Sequence, residues 1–284
     1  MKTLPLSTGD TMSVLGLGTY EMPKDEVSQA IRTAMNSGYR LYDTAQVYKN
    51  QKEVSEGIKA TGIDRKSVFI TTKVATSNQG YERAKASVRE SLETMGVEYL
   101  DLVLIHWPGA KGLDLQSREH KSLRHGSYRA LLELQKEGAV RNVGVSNFMV
   151  GHLTGLFEEF EEKPQVNQIE LSPICFPRET ADFCQANGVV VQSYSTLGRG
   201  LLLSEEWVQR YPVLKNLKNQ GSISARVLKW AINKNFCVIP KSITPSRIEE
   251  NFSALSVDLS PEDEQALDEF PVSHRTCWDP NTIL

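Results

Sequence analysis

Short apolar runs rich in β-branched residues alternate along this chain with stretches whose apolar positions recur at helical spacing. Eight runs read as strands: Val14–Gly18, Tyr39–Asp43, Val68–Lys73, Asp101–His106, Val140–Ser146, Val166–Ile169, Val189–Tyr194 and Cys237–Pro240. Several, such as Leu102-Val103-Leu104-Ile105 and Val189-Val190-Val191, are continuously apolar, the pattern of parallel strands covered on both faces. Between them Val27, Ala30, Ile31, Ala34 and Met35, then Ala84, Val88, Leu92 and Met95, then Leu153, Leu156, Phe157 and Phe160, each place an apolar stripe on one helix face. Eight strands alternating with helices predict an α/β protein with a single (β/α)8 barrel. A doubly wound sheet is the competing architecture, but its GxGxxG turn is missing. Gly16-Leu17-Gly18-Thr19 supplies only GxG, which strand ends often produce.

Three segments fall outside the alternation. Thr3–Leu6 and Thr11–Val14 flank the turn-rich Ser7-Thr8-Gly9-Asp10, which predicts an N-terminal β-hairpin plugging one end of the barrel. Gly109–Arg124 and the polar stretch Ser204–Gly221 are longer than ordinary strand-to-helix connections and are expected to rim the C-terminal mouth. No repeat, linker or low-complexity segment interrupts the 284 residues, so one domain spanning 1–284 is expected.

Composition narrows the function more than the fold. At 40% hydrophobic and 24% charged the chain is neither disordered nor fibrous. With 32 basic and 35 acidic side chains the net charge is −3, so no global field draws it to nucleic acid or an anionic membrane, and a phosphate ligand would have to be held locally. No stretch approaches the roughly 20 apolar residues of a membrane span. Met1 to Asp10 lack the apolar core of a signal peptide, which leaves the cytoplasm as the expected location. Cys175, Cys184, Cys237 and Cys277 form no CxxC pair and read as reduced thiols. His106, His120, His125, His152 and His274 show no metal-ligand spacing, so no metal is expected. No feature marks a subunit interface, and a monomer is expected.

The informative pattern is what stands at the strand ends: Asp43, Lys73, His106, Asn147, Gln168, Tyr194 and Lys241, with Tyr48 five residues past Asp43. In a parallel barrel all strand C-termini open on one face, so these side chains converge there. Any one alone has an ordinary explanation, since strand ends meet solvent; the set together does not. A lysine ammonium beside a tyrosine favours phenolate, so Lys73 is expected to bring the Tyr48 phenol down from its usual value near 10. An ionised Asp43 would keep Lys73 charged, and His106 would orient a carbonyl oxygen or join a proton relay. Tyr194 offers a flat face for stacking on a cofactor ring, and Asn147 and Gln168 can both donate and accept, as a carboxamide requires. The segment Ile239 to Arg247 gathers two cations and two hydroxyls at a helix start, where anions are favoured. Each feature also fits plain structure: an ion pair, a rim aromatic, a solvated helix start.

At these residues the chain resembles the aldo-keto reductase family. The resemblance runs from about Gly16 to Asn251 and rests on Asp43-Thr44-Ala45 with Tyr48 and Asn50, Ile70-Thr71-Thr72-Lys73, Leu104-Ile105-His106-Trp107-Pro108, Gly144-Val145-Ser146-Asn147-Phe148, Asn167-Gln168-Ile169-Glu170 and Ile239-Pro240-Lys241-Ser242. It implies a TIM-type barrel, NADPH as hydride donor, and a catalytic tetrad of Asp43, Tyr48, Lys73 and His106. It places the nicotinamide against Tyr194, its carboxamide on Ser146, Asn147 and Gln168, and the 2′-phosphate on Lys241, Ser242 and Arg247. Thr244, Glu250 and Asn251 surround that end, and Gly18, Thr19, Asp43, Ser195 and Leu197 add cofactor contacts. Size and tail are similar to compact members such as 2,5-diketo-gluconate reductases and protozoan-type prostaglandin F synthases.

Departures from the family pattern fall on the substrate side: Tyr20 where tryptophan is frequent, Gln51 where glutamate is, Ser172 where histidine is. An aromatic pocket of Tyr20, Trp107 and Trp278, beside Tyr48 and His106, is expected to take a small aldehyde or ketone. Two rivals stand against reduction. One is an NADPH-binding redox sensor with little turnover. The other is a Schiff-base barrel using Lys73 or Lys241, against which Asp43 argues by keeping Lys73 protonated.

Overall fold

The computed structural model describes residues 2–284. An antiparallel hairpin opens the chain, β1 (Thr3–Pro5) with β2 (Thr11–Ser13). Its Met12 is fully buried, and its turn is tied to the sheet underside by Asn142, which donates to Asp10 at 2.8 Å and accepts from Thr8 at 2.5 Å. The hairpin therefore closes the bottom of the barrel.

Eight parallel strands run in sequence order: β3 (Leu17–Gly18), β4 (Leu41–Asp43), β5 (Phe69–Val74), β6 (Leu100–Ile105), β7 (Val140–Ser146), β8 (Val166–Glu170), β9 (Val190–Tyr194) and β10 (Cys237–Val238). The ring shuts where Leu15 bridges Val238, Gly16 N–H donates to Val238 O at 2.9 Å and Val238 N–H to Val14 O at 2.8 Å. Both seam strands are shorter than the apolar runs Val14–Gly18 and Cys237–Pro240 suggested, because only part of each run is in ladder register. The GxG belongs to this seam: a Cβ on Gly18 would lie 2.7 Å from Ile239 O, so close backbone approach requires glycine there.

Helices cover the outside: α1 (Lys24–Ser37), α2 (Gln51–Lys59), α3 (Tyr81–Met95), α4 (Glu119–Lys136), α5 (Val150–Glu159) and α6 (Arg178–Ala186), with the three apolar stripes read from the sequence on α1, α3 and α5. The long stretch after β9 is itself helical, with α7 (Glu205–Arg210) and α8 (Pro212–Asn219) preceding α9 (Ile223–Asn233). Ser204 and Ser222 cap α7 and α9, and Val208, Tyr211, Leu214 and Leu217 bury an apolar stripe. Ser204–Gly221 thus differs from the expected polar loop because its apolar residues have a surface to pack on. The other long connection is shorter than expected, since α4 already starts at Glu119. Helices α10 (Pro245–Phe252) and α11 (Pro261–Asp268) complete the shell, and a C-terminal tail runs on to Leu284. Among the described residues no helix is long and apolar enough to cross a membrane.

Candidate active site

Strand alternation aims every second side chain into the barrel. Asp43 at the end of β4 and Lys73 in β5 point to the same interior, and the 3-10 turn Gln46–Tyr48 carries Tyr48 back over them. Lys73 is fully buried and its ammonium donates to Asp43 Oδ1 at 2.5 Å, Thr44 O at 2.9 Å and Tyr48 Oη at 3.2 Å. Because the phenol oxygen accepts from Lys73, its own hydrogen is left to donate, and no side chain among the described residues takes it. Asp43 is held from the other side too, since Gln168 Nε2 donates to its Oδ2 at 2.7 Å and to Gln192 Oε1 at 2.6 Å.

Burial dominates the electrostatics. The Tyr48 phenol is pushed well above its ordinary value, first by desolvation and then by the Asp43 charge. This runs opposite to the expectation that Lys73 would draw it toward neutrality: burial dominates, and the Asp43 charge, paired with the ammonium at 2.5 Å, adds to it. Lys73 itself is lowered by burial, with Asp43 opposing the shift. His106, just past β6, is brought down to about 3 by burial and then by the Lys73 charge, so its imidazole is neutral at working pH. Its ring lies edge-on to Tyr48 with centroids 5.8 Å apart. A neutral phenol with a free hydrogen, backed by an ammonium and beside a neutral imidazole, is arranged to give a proton to an oxygen at the mouth.

The amide cluster sits beside this group. Asn147, at φ +64°, donates to His106 O at 2.9 Å and accepts from Tyr194 Oη at 2.7 Å. Ser146 Oγ donates to Gln168 O at 2.8 Å. The Gln168 nitrogen is committed to Asp43 and Gln192, so all three expected carboxamide partners already make hydrogen bonds within the protein. Ser195 continues Tyr194 at φ +52°, and Leu197 starts the next turn. Thr19 Oγ1 donates to Asp43 O, and Asn50 fastens Thr19 O to Thr44, which seats the loop after Gly18. Around the start of α10, Ser242 and Asn251 are buried, whereas Lys241, Thr244, Arg247 and Glu250 are exposed. Neither Lys241 nor Arg247 makes an ion pair among the described residues, so both cations are open to an anion at a helix start.

On the substrate side Tyr20 stacks obliquely on Tyr48 at 5.0 Å, and Trp278 meets Trp107 edge-on at 6.1 Å. Gln51 Nε2 donates to Thr72 Oγ1 at 2.7 Å, and Ser172 sits in a tight turn with Cys175. Three contributors were not singled out from the sequence, although Glu170 itself ends β8. Gln192 and the Thr44 carbonyl complete the Asp43–Lys73 network, and Glu170 meets the tail. Gln192 lies two residues before Tyr194, so strand alternation could have found it.

The fold is a (β/α)8 barrel with a cluster of buried polar and ionisable side chains at its C-terminal mouth. The chain belongs to the aldo/keto reductase family, whose profile matches residues 12–271. It is 36% identical to glyoxal reductase of Bacillus subtilis, over 99% of this chain and 97% of that protein. It is 37% identical to 9,11-endoperoxide prostaglandin H2 reductase of Trypanosoma cruzi, over 96% and 93% of the two chains. Among solved structures, a mutant of Gox0644 in complex with NADPH superposes with a TM-score of 0.87 at 32% identity, covering 100% of this chain and 98% of that one.

Proposed function

We propose that this protein is an NADPH-dependent reductase of aldehydes and ketones, with Tyr48 as the general acid. The observation that carries the reading is the Tyr48 hydroxyl, which accepts from Lys73 at 3.2 Å and keeps its hydrogen for an incoming oxygen. NADPH, when bound, supplies the hydride. The residues fit it: Lys241 and Arg247 are unpaired cations for phosphate, Ser146 and Asn147 are amide-recognising groups, and Tyr194 is an aromatic face beside them. A relative crystallised with NADPH supports the same assignment.

In this reading Tyr48 and His106 receive the carbonyl oxygen. As negative charge develops there, Tyr48 transfers its proton, and Lys73 compensates the phenolate left behind. Asp43, fixed by Gln168, keeps the ammonium in place. Tyr20, Trp107 and Trp278 form the aromatic rim for the remainder of the substrate. The whole of 1–284 acts as one barrel domain, a monomer in the cytoplasm, which suits four cysteines without a disulfide.

The test is turnover: purified protein with NADPH and a panel including glyoxal, aromatic aldehydes and ketosugars, followed by cofactor absorbance. Oxidation of NADPH by several aldehydes is expected. Tight NADPH binding with negligible turnover on all of them would replace catalysis by redox sensing.

A further inference from the structure

Glu170 is a carboxylate only 2% exposed, at the C-terminal end of β8 and in register with Tyr194 on β9. It stands two residues after Gln168 on the same strand face, one layer nearer the mouth. A buried charge at that level is costly unless it is fully hydrogen-bonded. All its side-chain partners come from one short segment 105 to 107 residues away. Oε1 accepts from Thr276 N–H at 2.6 Å and Thr276 Oγ1 at 2.7 Å, while Oε2 accepts from Cys277 N–H at 3.1 Å and Arg275 Nη1 at 3.4 Å. None of these donors belongs to the barrel.

The segment is the near end of a strap over the mouth. His274 N–H donates to Ile174 O where it departs, and Cys277 Sγ reaches Ser195 Oγ at 3.8 Å. The far end is fastened separately: Leu284 N–H donates to Leu115 O at 3.0 Å, Gln116 to Thr282 O at 2.8 Å, and Arg124 to Leu284 O at 2.7 Å. Between the anchors stands Trp278, 82% exposed yet held edge-on to Trp107. An exposed indole keeps such a place only if the backbone on both sides is fixed, and on the near side the fixing group is the Glu170 carboxylate.

We propose that Glu170 is a positioning residue that sets substrate selectivity: by fastening residues 275–277 it holds the Trp278 wall at the mouth, favouring aldehydes with a bulky apolar group over small ones. This rests on the reductase reading of the site. A small aldehyde needs only Tyr48 and His106, whereas an aromatic aldehyde also rests on the Trp107–Trp278 wall. Loosening the strap removes binding that is the same in ground and transition states, so it acts on KM and leaves kcat.

The experiment uses the full chain with saturating NADPH and two substrates, propionaldehyde and 4-nitrobenzaldehyde. Glu170→Gln should raise KM for 4-nitrobenzaldehyde about tenfold, in keeping with loss of charge-assisted hydrogen bonds. Its kcat, the KM for propionaldehyde and the Kd for NADPH should stay within about twofold. Trypsin cleavage after Arg275 should accelerate as the strap opens. Thr276→Val, which removes one donor without stranding the carboxylate, should show the same selectivity change at smaller amplitude, and it decides the matter if Glu170→Gln does not fold. Equal changes for both aldehydes, a change confined to NADPH, or faster cleavage with an unaltered KM ratio would overturn the proposal. Wild-type protein that reduces neither aldehyde would overturn the reductase reading itself, an outcome distinct from these.

Discussion

Lys73 Nζ lies 2.5 Å from Asp43 Oδ1, and both side chains are buried at the heart of the barrel. A buried pair of this kind is held by mutual neutralisation, so removing one partner strands the other. Lys73→Met or Asp43→Leu alone should cost about 3–5 kcal/mol of stability by urea denaturation. The double replacement should cost clearly less than the sum, and strict additivity would mean the two charges do not depend on each other.

Tyr48 keeps its hydrogen for an oxygen at the mouth, and that hydrogen matters only while the alkoxide develops. Tyr48→Phe should bind NADPH within about twofold of the wild type by fluorescence titration and lose carbonyl reduction on the order of 10²–10⁴-fold. Retained reduction would assign the proton to another group.

The pH profile is set by two shifts. The Tyr48 phenol is held well above its ordinary value, so it stays protonated across neutral pH, and His106, with a value about 3, stays neutral. Carbonyl reduction should therefore be nearly flat from about pH 6 to 9. Alcohol oxidation, which needs the phenolate, should climb steadily with pH over the same range. A break in the reduction rate near 6.5 would show that His106 titrates as if exposed.

Stability should move with acid in the opposite sense from a salt-bridged histidine. Burial depresses His106 to about 3 and His152 to about 4, so the unfolded chain takes up protons near 6.5 that the native one refuses. Stability from these groups is complete above about 6.5 and declines as pH falls toward 4. The urea midpoint should drop between pH 7 and 5, and His152→Gln should make that drop shallower. An unchanged pH slope in this variant would exclude a neutral buried His152.

Arg247 stands exposed and unpaired at the start of α10. Arg247→Ala should weaken NADPH binding by about 1–3 kcal/mol while leaving NADH nearly untouched. Equal weakening of both would move the phosphate elsewhere.

The barrel was legible because buried parallel strands such as Leu102 to Ile105 announce themselves as unbroken apolar runs, and because Asp43, Lys73 and His106 stand where such runs stop. Strand-end position brought Asp43 and Lys73 to one point, and the turn after β4 carries Tyr48 back to them. What local pattern could not carry was the balance of fields. Lys73 beside Tyr48 suggested a lowered phenol, and only the Asp43 distance and the depth of burial reverse the sign. Long-range partners were equally hidden: nothing near Glu170 in the chain indicates donors 106 residues on. Ser204–Gly221 reads as a polar connection, yet it folds into helices, with Pro212 at the start of α8.

The ring is not equally strong all round. β6 and β7 share five register pairs, whereas β3 and β10 are two residues each and the ring closes between them only through the Leu15–Val238 bridge, just before β3, and a few backbone hydrogen bonds. That lap joint runs directly beneath Gly18 on one lip and Lys241 on the other. A molecule gripping both lips acts as a rivet across the weakest join, so holding the ligand and keeping the cylinder shut become one equilibrium.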